Sequence, residues 1–190
     1  MYQRFVKRML DVILSLCGVV LLSPVFLILA VWIKLDSPGP VFFKQKRVGK
    51  HKTYFNILKF RTMRTDAPHD MPTHLLENPE AFITRSGAFL RRTSLDELPQ
   101  IFNVLLGHMS LVGPRPYLPS EKEEMGEFAS TVLMAKPGIT GYWQTSGRSN
   151  VSFDDRVRMD CWYICNWNLW LDVVMLFKTV KVVLMRKGAY

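Results

Sequence analysis

Cysteine is scarce in this 190-residue chain, which holds only Cys17, Cys161 and Cys165. An odd count, with the first thiol inside an apolar stretch, excludes a disulfide framework and gives no zinc-ligand spacing; Cys161 and Cys165, four apart, are expected on one helix face as reduced thiols. Acidic charge is also short, with 16 Asp and Glu against 25 Lys and Arg and a net charge of +9. That balance directs attention to anionic partners: phosphates, acidic lipid or nucleic acid. No RNA- or DNA-recognition signature is present, which argues against nucleic acid. Internal repeats and low-complexity segments are absent too, and the length suits one domain with a real core rather than two beside a membrane element. His69, Asp70 and His74 lie in a stretch too irregular to be read as metal ligands.

Charge is missing altogether from Val12 to Ile33, while Arg4, Lys7 and Arg8 precede the stretch and Lys34 follows it. As one straight helix it would measure roughly 33 Å, enough to cross a bilayer core of about 30 Å. Pro24 removes a helical hydrogen bond to Val20, so a break is expected at Ser23-Pro24. Basic residues crowd both flanks, with Lys44, Lys46, Arg47, Lys50 and Lys52 beyond Lys34, and the positive-inside rule then puts both ends on the cytoplasmic face. A re-entrant helix-break-helix satisfies both observations, with Ser23 bonding carbonyls freed at the break. Simple spanning is the competing arrangement. A cleaved signal peptide is excluded, because no small-x-small site follows and Asp11 interrupts the layout.

Beyond the turn Asp36-Ser37-Pro38-Gly39-Pro40, Val41 to Lys46 and Thr53 to Met63 alternate as the two arms of a small β-hairpin. Residues 66–79 read as a surface loop. Helices are expected from Phe153 to Asn166 and from Leu169 to Arg186, the second either a core helix or one lying in the membrane interface. Lys136 to Gly141 and Ser146 to Asn150 read as glycine-containing basic loops suited to approach phosphate. The fold class expected is mixed α/β and helix-rich, with residues 1–36 as the membrane element and 37–190 as a cytoplasmic domain.

Chemistry is concentrated in Arg91-Arg92-Thr93-Ser94-Leu95-Asp96-Glu97-Leu98-Pro99-Gln100. Ser94 and Glu97 stand in the S-x-x-E relation of a capping box, with a helix starting between Leu95 and Pro99 and burying Ile101, Phe102, Val104, Leu105 and Leu106. The adjacent acids also suit another role: a carboxylate can attack phosphorus when a cation neutralises the repulsion, and its neighbour can help hold that cation. Arg115, between Pro114 and Pro116, is a pre-positioned guanidinium of the kind that grips phosphate bidentately. From the residues alone, capping and catalysis both stand, as does a non-catalytic, membrane-anchored basic module that binds anionic lipid or nucleic acid.

An ordered set of motifs decides further. Lys7-Arg8 with Asp11, Ser23-Pro24, Ser37-Pro38-Gly39-Pro40, Phe43 to Gly49, Lys59-Phe60-Arg61-Thr62-Met63, Thr93 to Gln100, Gly113-Pro114-Arg115-Pro116, Lys136 to Gly141 and Gly147-Arg148 together resemble the bacterial sugar transferase family, the monotopic phosphoglycosyl transferases, in their minimal form. The resemblance implies a catalytic core on the cytoplasmic face of the bacterial inner membrane, anchored by a re-entrant helix and by interfacial amphipathic helices. It implies transfer of a sugar-1-phosphate from a UDP-sugar to undecaprenyl phosphate through a phosphosugar-aspartyl intermediate, with release of UMP, as the first membrane step of glycoconjugate assembly. Asp96 is then the nucleophile and Glu97 its partner, the two holding Mg²⁺; Arg115, Arg91, Lys59 and Arg148 are the candidate substrate ligands. Homo-oligomerisation and the identity of the sugar are left open.

Overall fold

The computed structural model describes residues 2–68, 78–146 and 151–185. It is helix-rich with a small amount of sheet. Helix α1 (Tyr2–Asp36) leads into the hairpin β1 (Phe42–Val48) and β2 (Tyr54–Phe60). Then come α2 (Arg85–Thr93), a single 3₁₀ turn (Leu95–Glu97), α3 (Gln100–Leu105) and β3 (Ser110–Val112). Short helices α4 (Glu121–Glu124) and α5 (Ala129–Val132) precede β4 (Gly138–Thr140), after which α6 (Tyr142–Ser146), α7 (Phe153–Cys165) and α8 (Leu169–Leu184) complete the described chain.

The expected hairpin forms: β1 and β2 pair antiparallel from Phe42 opposite Phe60 to Val48 opposite Tyr54. Side chains alternate along β2, so Phe55, Ile57 and Lys59 share one face and Leu58 and Phe60 the other. The first face packs Phe55 and Ile57 against Val104 and Met109, while Phe60 turns to Leu29 and Ile33 of α1 and Leu90 of α2. Lys136 to Gly141, read above as a loop, instead contains β4, which runs parallel to β3 with Ser110 opposite Gly138 and Val112 opposite Thr140. The two backbones approach so closely that a Cβ on Gly138 would lie 2.1 Å from the Gly113 amide nitrogen. A three-residue strand carries too little alternation to be legible as one.

The helix-break-helix expected at Ser23-Pro24 is a single helical element with Pro24 inside it. The Ser23 hydroxyl donates to the Val20 carbonyl at 2.8 Å, which is the acceptor that Pro24 leaves without its amide. That substitution keeps the local hydrogen bonding complete and lets the helix continue. Both ends of α1 are tied to the same domain. Near its start, Lys7 Nζ reaches Asp172 Oδ2 at 2.5 Å and the Val112 carbonyl at 3.0 Å, Arg8 donates to the last carbonyls of α3, Val104 and Leu105, at 2.7 and 3.1 Å, and Asp11 accepts from the Leu111 amide. At its end, Asp36 accepts from the Ser86 amide and hydroxyl at 2.8 and 2.7 Å, and the Arg61 guanidinium donates to the Ser37 carbonyl at 2.7 Å. Between them, the Phe26 ring packs at a tilt against Phe60 and Phe102. The outward face is apolar and open, with Val20, Leu21, Leu27, Ile28 and Val31 all more than half exposed.

Helix α8 divides in the same way. Met175 and Asp172 are buried, whereas Trp170, Phe177 and Val180 stand in solvent at 72, 73 and 58%. It is therefore half a core helix and half an open apolar face. Leu106, expected in the core, is 67% exposed, because α3 ends at Leu105 and Gly107 turns the chain at φ +85°.

Candidate active site

The acid pair sits in the tight reversal between α2 and α3. Helix α2 starts at a Thr84 cap whose side chain accepts from the Gly87 amide, and it stops at Ser94, which adopts a left-handed φ of +58° and donates its amide to the Arg91 carbonyl. That geometry spoils the expected capping box: the Ser94 side chain makes no capping bond. In the 3₁₀ turn that follows, residues three apart eclipse one another. Leu95 and Leu98 consequently point together into the core formed by Leu29, Ile33, Phe60 and Leu90, which leaves Asp96 and Glu97 directed away from it. Pro99 then supplies the cap position of α3, where its missing amide costs nothing.

Glu97 is met by Lys59, whose Nζ donates to Oε1 at 2.6 Å from the face of β2 that also carries Ile57. With 40% of the Glu97 side chain and 25% of Lys59 still accessible, this pair contributes only about 0.2–1 kcal/mol to stability. Its importance is electrostatic. Burial would raise the Glu97 carboxyl, but Lys59, Arg115 and Arg47 outweigh it and hold the group below the ordinary carboxylate range. Asp96 goes the other way: burial pushes it up to about 6, the negative charge of Glu97 adds to this, and Lys59 and Arg91 oppose it. Two adjacent carboxylates thus differ in basicity because their surroundings differ. Arg91 also donates from Nε to the Thr62 hydroxyl at 3.0 Å, which steadies it beside Asp96.

Arg115 follows β3 within Gly113-Pro114-Arg115-Pro116. Its backbone amide donates to Asp160 Oδ2 at 3.0 Å, an oxygen that also accepts from the Tyr117 hydroxyl at 2.9 Å. Four of the predicted residues, Asp96, Glu97, Lys59 and Arg91, are thereby gathered directly, and Arg115 joins them through its charge on Glu97. Arg148 lies outside the described residues, as do His69, Asp70 and His74. Asp160 and Tyr163 are buried polar partners of the scaffold, the latter donating to Asp172 Oδ1 at 2.5 Å.

Sequence reasoning missed Arg47 as part of this site. It is buried, donates to the Pro116 carbonyl at 2.9 Å and to Gln45 Oε1, and lies near enough to Glu97 and Arg115 to act on both. The signal was available in the alternation of β1, which puts Gln45 and Arg47 on the same face, opposite Lys44 and Lys46. Among the described residues no group of three or more His, Cys, Asp or Glu is placed to hold a metal unaided.

The described residues thus form a helix-rich domain with one long apolar helix, two acids in a turn and a set of lysine and arginine heads around them. Residues 2–186 match the bacterial sugar transferase family, and the chain belongs to it. It is 45% identical over 202 residues to the undecaprenyl-phosphate galactose phosphotransferase of Salmonella typhimurium, covering 98% of this chain and 42% of that relative. It is 41% identical to the UDP-glucose:undecaprenyl-phosphate glucose-1-phosphate transferase of Xanthomonas campestris pv. campestris, covering 97% of this chain and 40% of the relative. The exopolysaccharide production protein ExoY of Rhizobium meliloti is 38% identical, and there the alignment covers 88% of the relative. The chain thus spans less than half the length of the first two proteins.

Proposed function

We propose that the chain transfers a hexose-1-phosphate from a UDP-hexose to undecaprenyl phosphate, releasing UMP. The observation that carries this reading is the split acid pair: a desolvated Asp96 beside a Glu97 held ionised by Lys59, with Arg91 and Arg115 alongside. In the first step a carboxylate oxygen of Asp96 attacks the β-phosphorus, the bond from that phosphorus to the bridging oxygen breaks, and UMP leaves with the electron pair. In the second, a phosphate oxygen of the polyprenol attacks the same phosphorus and the aspartyl oxygen departs, restoring Asp96 and conserving a diphosphate linkage. A carboxyl raised to about 6 by burial is largely ionised at neutral pH yet more basic than an exposed one, which suits a nucleophile. Lys59, Arg91 and Arg115 offset the charge that gathers around the transferred phosphoryl group.

The acid pair fits Mg²⁺. That ion takes one or two carboxylates and completes its shell with substrate phosphates and water, so a pair without a third protein ligand is a suitable donor set. Asp96 and Glu97 would hold it, and it would supply charge neutralisation between carboxylate and diphosphate. A hexose is the sugar that the relatives support: those named for galactose are 42 and 45% identical and those named for glucose 40 and 41%.

We further propose that α1 enters the cytoplasmic leaflet of the bacterial inner membrane and returns to the same side by bending at Pro24, where a proline inside a helix permits a kink. A helix of 35 residues is about 52 Å long, and a straight span would put Lys7 and Asp36 on opposite faces of the bilayer. Their ties to a single domain support a re-entrant path, and the basic flanks support the cytoplasmic side. The open apolar face of α8 suits the membrane interface.

The test is a UDP-sugar panel with undecaprenyl phosphate and Mg²⁺, read by UMP release. Asp96→Asn is expected to abolish release, and full turnover in that variant would overturn the assignment. For topology, single cysteines on either side of Ser23-Pro24, in a chain without its three native ones, are expected to react only from the cytoplasm. Periplasmic labelling beyond Lys34 would refute the re-entrant path.

A further inference from the structure

We propose that Arg156 is a second guanidinium for the diphosphate of the nucleotide donor, held beside Arg115 on the indole of Trp143; the inference rests on the transferase reading above. Trp143 of α6 is only 6% exposed. The guanidinium carbon of Arg115 lies 5.5 Å from its ring centroid and that of Arg156 lies 5.0 Å from the same centroid. Cations are attracted to an indole face, but two on one ring repel each other. Among the described residues no carboxylate forms an ion pair with either. The two guanidiniums therefore share one ring without a direct ion pair among the described residues, and Glu97 and Asp160 act on Arg115 only through longer-range attraction.

Helix α7 builds this arrangement. Arg156 and Asp160 are four residues apart and share a helix face. Asp160 grips the Arg115 backbone amide at 3.0 Å, while Arg156 Nε is fixed by the Val151 carbonyl at 2.9 Å. One face of α7 thus fixes the Arg115 backbone and carries Arg156. Among the described residues the buried Trp143 indole N–H has no acceptor, which adds a third donor to the cluster. Planar guanidinium forks match pairs of phosphate oxygens, so two carried on one indole suit a diphosphate better than a single phosphate. Arg115, whose charge is felt at Glu97, belongs with the phosphate nearest the acids; Arg156 extends the grip along the diphosphate toward the nucleoside.

The experiment measures UDP binding by calorimetry to the full chain in lipid nanodiscs, beside the KM for UDP-sugar and for undecaprenyl phosphate. Arg156→Gln is expected to weaken UDP binding and raise the KM for UDP-sugar by about ten- to a hundredfold, with the lipid KM and the thermal midpoint unchanged. Arg156→Lys keeps the charge and most of the stem but loses the fork, and is expected to recover only part of the binding. Should the Gln variant fail to fold, the Lys variant decides, since UDP affinity equal to wild type there overturns the clamp. Turnover with an unchanged UDP-sugar KM in Arg156→Gln overturns the clamp and keeps the transferase. UDP binding that depends on Arg156 in a wild-type chain that releases no UMP keeps the clamp and sinks the transferase. A wild-type chain that neither binds UDP nor turns over sinks both.

Discussion

Replacing Asp160 with Asn isolates a cost built into the scaffold. Asp160 is completely buried, and burial pushes its carboxyl up to about 7 against the opposing effects of the Arg115 amide, the Tyr117 hydroxyl and the Arg115 charge. In the unfolded chain the same group titrates near 3.8. Between those values the folded state keeps a proton that the unfolded state has released, so the unfolded state binds fewer protons and stability falls as pH rises. The destabilisation grows by about 1.4 kcal/mol per pH unit and levels off above about pH 7, near 4 kcal/mol in all. Asn at this position keeps an oxygen that can accept from both Arg115 and Tyr117 and cannot ionise. Its amide takes the place of Oδ1, which has no partner among the described residues. Thermal or denaturant unfolding of both proteins in detergent, from pH 5 to 8.5, should show the Asn variant gaining on wild type up to about pH 7.5 and holding a constant lead above it. A stability difference that does not change with pH would refute the reasoning.

Other perturbations test separate parts of the molecule. Lys59→Met leaves burial and mutual repulsion less opposed at Asp96 and Glu97, so the acid limb of the pH–rate profile should move to higher pH and kcat should fall about ten- to a hundredfold; an unmoved acid limb counts against Lys59 as the cation that tunes the pair. Gly87→Ala puts a Cβ 2.0 Å from the Thr62 carbonyl oxygen, a backbone atom that cannot step aside, so a fall in thermal midpoint and in soluble yield is expected. Gly126→Ala meets no atom within 4 Å, so its cost is the strain of a side chain at φ +54°, about 1–2 kcal/mol of unfolding free energy. Ser23→Ala removes the donor on the Val20 carbonyl and should cost about 1 kcal/mol, read from the thermal midpoint in lipid or detergent.

The acid pair was legible because the surrounding motifs recur in a fixed order; adjacency alone would not have singled it out, since Glu123-Glu124 and Asp154-Asp155 are adjacent carboxylates too. Arg91, Lys59 and Arg115 were legible for the same reason. Arg47 was legible only as far as its face, which the alternation of β1 shares between Gln45 and Arg47, and Arg156 was not legible, since nothing in the first turns of a helix says which head turns inward. The capping box was misleading: S-x-x-E is a statement about spacing, whereas a capping bond needs Ser94 in extended backbone, and the end of α2 holds it at a left-handed φ.

By itself the sequence determined the elements that local chemistry controls. The uncharged stretch from Val12 to Ile33 had to be a helix in contact with apolar surroundings, the alternation around residues 42–60 had to be a hairpin, and Ser23 was the natural substitute for the hydrogen bond that Pro24 removes. Tertiary structure decided what depends on distant parts of the chain. Leu95 and Leu98 turn inward only because Leu29, Phe60 and Leu90 form a core for them, and that packing directs Asp96 and Glu97 outward. Lys59 meets Glu97 across 38 positions in the chain, and Asp160 meets Arg115 across 45. Those encounters set the two acids apart in basicity, because a carboxyl's proton affinity reflects every charge and every desolvated surface around it rather than its neighbours in sequence.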